Sequence, residues 1–90
     1  MIIIPRIRKI QVMDNYKLAV TFDDDVKVIY DVLDDINTLP EFKALLSIRF
    51  FKSVKLDSSR TCVYWNDRID IPSDTIREYG TICGKETTNM

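Results

Sequence analysis

Ninety residues, 46% of them apolar and 30% charged, hold enough hydrophobic material for one core and too little for two, so a single domain over residues 1–80 is expected. The chain has no histidine, which excludes Ser-His-Asp and Cys-His triads; Cys62 and Cys83 form no CxxC pair, so no metal, cofactor or enzymatic activity is expected. The net charge of -1 hides a segregation: residues 1–13 carry +3, 14–42 carry -6, 43–60 carry +4 and 61–90 carry -2.

Along the chain, Met1-Ile2-Ile3-Ile4 is a short apolar run closed by Pro5, far below the roughly 18 residues of a membrane span. No basic stretch, apolar stretch and small-residue cleavage site follow one another, so a cytoplasmic protein without membrane association is expected. Residues 6–12 read as a strand, with Ile7 and Ile10 out of phase and therefore a bulge or a late start. From Tyr16 to Phe22 apolar and polar residues alternate, which predicts a half-buried strand with Tyr16, Leu18, Val20 and Phe22 on one face. Asp23-Asp24-Asp25 supplies turn chemistry, and Val26 to Tyr30 resumes the alternation as the second arm of a hairpin.

Thr38-Leu39-Pro40-Glu41 has the spacing of a capping box, and Phe42, Leu45 and Leu46 follow at helical spacing, so a short helix is expected to cover the sheet. Phe50 and Phe51, read as strand residues, face opposite ways, leaving one of them at the surface. Val54 and Leu56, the polar Asp57-Ser58-Ser59-Arg60, and Cys62-Val63-Tyr64-Trp65 predict a second hairpin with Val63 and Trp65 on one side. Pro72 opens a helix through Ile76 and Tyr79 that Gly80 stops, and residues 81–90 read as a flexible tail. The sum is an α+β fold, a small antiparallel sheet of about five strands in the order β-β-β-α-β-β-α, covered by short helices.

Pro5, Tyr16-x-Leu18-x-x-x-Phe22, Asp23-Asp24, Asp31, Leu39, Phe42, Leu45, Phe50 or Phe51, Val54, Val63-x-Trp65-Asn66, Asp70 and Asp74-Thr75 occur in an order that resembles the small bacterial family called domain of unknown function 2442. The likeness runs from Pro5 to about Tyr79 and consists of core and turn positions. It implies a compact α+β domain of prokaryotic type, often encoded beside another small protein in a pairing like that of toxin and antitoxin. It implies no catalytic residues. Where the family favours Asp-Gly in the first hairpin turn, this chain has Asp24-Asp25, a departure at the tightest point.

The charge map offers two readings. The first is a protein-binding module, or one that self-associates, with Arg49, Phe50, Phe51, Lys52, Lys55, Trp65 and Asn66 as the contact residues. The second is a nucleic-acid-binding accessory protein in which Arg6, Arg8 and Lys9 join the basic residues of 43–60 in one phosphate-binding patch. Asp23 to Asp25 with Asp31, Asp34 and Asp35 lack the glycine and the distant glutamate of a calcium loop and read as turn chemistry.

Overall fold

Strands β1 (Ile7–Met13), β2 (Lys17–Phe22) and β3 (Val26–Asp31) form the expected antiparallel meander in a computed structural model that describes residues 4–85. Residues opposed across an antiparallel pair share a face. The registers Ile10↔Val20↔Val28 and Val12↔Leu18↔Tyr30 therefore lay successive apolar rows against the core. The bulge falls between Ile7 and Lys9, where β1 slips against β2. It returns Ile7 to the core side opposite Phe22, which is why Ile7 and Ile10 are out of phase.

Tyr16 does not belong to β2 as its alternation suggested. It closes the β1–β2 turn at φ 60°, beside Asn15 at 62°, a left-handed geometry that costs a tyrosine on the order of 1–2 kcal/mol. Tertiary contacts hold it there. Its carbonyl accepts the Val32 N–H at 2.9 Å, its hydroxyl donates to the Leu46 carbonyl at 2.6 Å, and its ring meets Phe51 edge-on at 5.2 Å. At the other end of β2 the Asp23–Asp25 loop closes with the Asp25 N–H donating to the Phe22 carbonyl at 2.9 Å and Asp25 itself at φ 70°. Aspartate tolerates that region better than most residues, so the hairpin closes without glycine.

The middle of the chain departs most from expectation. Helix α1 (Val32–Thr38) starts directly after β3, where Asp31 caps it by accepting the Leu33 N–H at 3.1 Å. Thr38 ends this helix instead of opening the next: its hydroxyl donates back to the Asp34 carbonyl at 3.0 Å. A 3-10 helix (Pro40–Leu46) follows, with Leu39 as its N-cap and no side-chain cap. Its three-residue period buries Phe42 and Leu45 and turns Lys43 and Leu46 outward. Phe50 and Phe51 lie in α2 (Ile48–Phe51), a single helical turn, not in a strand; Ser47 accepts the Phe50 N–H at 3.5 Å.

Strands β4 (Lys55–Leu56), β5 (Cys62–Tyr64) and β6 (Asp70–Pro72) form a second, three-stranded sheet, so the described residues hold seven strands in two sheets instead of about five in one. The predicted 57–60 turn joins β4 to β5. Helix α3 (Ser73–Tyr79) ends as predicted at Gly80, whose N–H donates to the Ile76 carbonyl at 2.9 Å. A Cβ on Gly80 would collide with Val28 Cγ1 and lie 2.7 Å from that carbonyl, so glycine is required here for close approach.

The expected tail is corrected over its first half. Thr81–Lys85 forms β7, which pairs antiparallel with β3 and gives the first sheet the order β1-β2-β3-β7. The rest of that predicted tail, like the Met1–Ile3 run, lies outside the described residues. Between the layers sits an aromatic stack: Phe51 lies on Trp65 at 6.0 Å, Phe42 meets Trp65 edge-on at 6.5 Å, and Trp65 Nε1 donates to the Phe51 carbonyl at 2.8 Å. That hydrogen bond satisfies the one polar atom of the indole, which lets it be buried.

Candidate protein-contact surface

The two basic segments meet at Arg60 and Arg8, where the acidic β2–β3 turn pairs with them, and Arg49 and Lys52 are left apart from that meeting point. Each aspartate of the β2–β3 turn takes an arginine from a different element: Asp23 pairs with Arg60 at 2.7 Å, Asp24 with Arg77 at 2.9 Å, and Asp25 with Arg8. Arg77 grips Asp24 through both guanidinium nitrogens and lies 5.0 Å over the Phe22 ring. This holds the Asp24 carboxyl below its ordinary range, the Arg77 hydrogen bond being the largest cause. The Arg60 carbonyl also accepts the Ile7 N–H, so the second sheet's turn docks on β1. Arg8 and Arg60 are thus held by the acidic turn, and Arg6 enters β1 next to them, its carbonyl accepting the Asp23 N–H at 2.9 Å. Lys9 sits opposite Thr21 in the β1–β2 register and is exposed.

Arg49 and Lys52 lie at the other end. Tyr16 and Asp23 bracket the six residues of β2, a run of about 20 Å at ~3.4 Å per residue, and α2 packs at the Tyr16 end through Phe51. Among the described residues no carboxylate forms an ion pair with Arg49, Lys52 or Lys55; Lys55 lies 6.0 Å over the Tyr64 ring. Asp57, the nearest acid in sequence, accepts instead from Ser59 and is held below its ordinary pKa by that bond.

The other predicted contact residues divide. Phe51 and Trp65 are fully enclosed and offer no surface, because their rings form the stack beneath α2. Phe50 is half-buried against the core. Asn66 is exposed, but its side-chain oxygen accepts the Arg68 and Ile69 N–H groups at 2.8 and 2.9 Å and organises the β5–β6 loop. What sequence reasoning missed is Leu39, Leu46 and Ile48, exposed by 38%, 52% and 47% respectively and interleaved with Lys43 and Arg49. The three-residue spacing of Phe42 and Leu45 was the available signal that Leu46 points outward.

Two further features do not add chemistry. An open groove of about 920 Å³ beside Phe22 is lined by Ile4, Arg6, Asp23, Asp24, Thr61 and Arg77, so much of its polar lining is already paired. The Tyr30 hydroxyl donates to Asp35 at 2.7 Å; burial raises the pKa of both groups, and Asp34 and Asp31 add to the rise. Among the described residues no three acids or cysteines gather as metal ligands, and no helix is long and apolar enough to cross a membrane. Compared with known proteins, the chain matches no family model, no curated protein and no solved structure.

Proposed function

We propose that this chain is a small non-catalytic protein-binding module, the regulatory or antitoxin-like partner of an adjacently encoded protein in the bacterial cytoplasm. The observation that carries the reading is the run from Leu39 to Lys52, where three large apolar side chains stand exposed among Lys43, Arg49 and Lys52. Exposed apolar area rimmed by charge is the usual composition of a contact surface, and arginine is over-represented in such surfaces. The aromatic stack beneath α2 fixes the backbone that presents it, so little ordering is needed on binding. The resemblance to domain of unknown function 2442 supports the genetic pairing and rests on the residues named for it alone.

Co-expression with the product of the adjacent gene tests this. The two proteins are expected to elute as one complex at micromolar concentration, and Leu46→Asp with Ile48→Asp is expected to separate them. Independent elution of the wild-type pair would overturn the reading.

A further inference from the structure

The surface from Asp31 to Lys55 is divided by charge. Residues 31–41 carry Asp31, Asp34, Asp35 and Glu41 and no base, while residues 43–55 carry Lys43, Arg49, Lys52 and Lys55 and no acid. All of these except Asp35 are exposed. The two halves belong to one continuous layer, since α1 packs on the 3-10 helix, the 3-10 helix packs on α2, and Lys43 Nζ donates to the Ile36 carbonyl at 3.3 Å. Leu39 stands between the acidic and basic halves, and Leu46 and Ile48 stand within the basic half. The halves do not neutralise each other: among the described residues no ion pair joins an acid of residues 31–41 to a base of residues 43–55.

From this juxtaposition we infer that the face binds a second copy of the same chain, acidic half against basic half, across a two-fold axis near the exposed leucines. The inference rests on the reading of this face as a protein contact and gives the face a second occupant, held when the adjacent gene's product is absent and displaced by it. A two-fold contact is self-complementary by symmetry, so each charge that meets its opposite does so twice. A surface whose two halves carry opposite charge satisfies that condition with one copy turned on another. A uniformly basic face would call for an acidic partner or a nucleic acid instead.

Sedimentation of the full chain from low to high micromolar concentration, with charge-reversed variants, provides the test. Wild type is expected to dimerise, with affinity falling as salt rises. Arg49→Glu with Lys52→Glu, and separately Asp34→Lys with Glu41→Lys, are each expected to raise the dimer dissociation constant at least about tenfold. Mixed in equal amounts, the two variants are expected to form a heterodimer at least as tight as the wild-type dimer. All four side chains are exposed, and unchanged circular dichroism and melting confirm that the variants fold. A dimer indifferent to both reversals, or a mixture that does not restore association, overturns the inference. So does a wild-type chain that stays monomeric. If that monomer still elutes with the adjacent gene's product and loses it on Leu46→Asp with Ile48→Asp, the protein-binding reading stands without self-association. If the monomer instead binds an oligonucleotide in a salt-dependent way through Arg49 and Lys52, both fall.

Discussion

The two ends of β2 treat charge in opposite ways. At the Asp23 end, three carboxylates and three guanidinium groups from β1, the 57–60 turn and α3 close on one another and tie the two sheets together. At the Tyr16 end, aromatic packing and a strained turn hold the backbone, and the charges above it have no ion-pair partners among the described residues. Both ends look alike as charge runs. The difference is that one set of charges is consumed by the fold and the other is left over for something outside it.

The contrast breaks at its strongest point if the Tyr16 end is merely loose. Trp65→Ala is expected to cost about 3–5 kcal/mol in chemical denaturation, because it empties the stack under α2 and removes the indole hydrogen bond to the Phe51 carbonyl. A cost below about 1 kcal/mol would mean the open face lacks a rigid floor. Next in size, Gly80→Ala is expected to destabilise by about 1–3 kcal/mol through collision with Val28 and the Ile76 carbonyl. Little change there would mean that the chain does not approach β3 at Gly80 as closely as described.

Smaller changes sharpen the comparison. Arg77→Ala is expected to cost about 0.5–1 kcal/mol, the low figure reflecting screening of a half-exposed pair, whereas Arg49→Ala is expected to stay within about 0.5 kcal/mol of wild type. The pH dependence has a definite sign. Asp24 has a lowered folded pKa, so its contribution is present above the ordinary aspartate range and is lost as pH falls through the lower folded value. Acid melting curves of Arg77→Ala are therefore expected to converge on wild type. Tyr30 has a raised folded pKa, so its contribution is complete below the ordinary tyrosine range and is lost as pH rises above it toward the folded value. Tyr30→Phe is expected to flatten that alkaline decline.

Strands whose periodicity was sustained were legible in the sequence: the alternation of Leu18, Val20 and Phe22, the phase slip of Ile7 and Ile10, and the Asp57–Arg60 turn all appear where expected. The region from Asp31 to Phe51 was not, because it holds two α-helices and a 3-10 helix, each only seven residues or fewer. At that length the three-residue and four-residue periods are hard to tell apart. Thr38 was read as a cap because its spacing to Glu41 fits one, yet the same hydroxyl serves equally well bonding backward. Tyr16 was misplaced because nothing local in the sequence announces a left-handed tyrosine; its reason is the distant Leu46 carbonyl and Phe51 ring. The basic residues of the candidate site were legible by count. Which of them were already engaged was not, since Arg8 and Arg60 find their aspartates 17 and 37 positions away.

The position of β7 bears on the order in which the chain matures. β3 is an interior strand only because Thr81–Lys85 lies beside it. During synthesis the β1–β3 meander is complete some fifty residues earlier, and until β7 arrives β3 shows an unpaired edge rich in β-branched residues. A nascent or truncated chain ending before Thr81 therefore exposes a template for pairing with its neighbours, and the last described strand acts as the step that retires it.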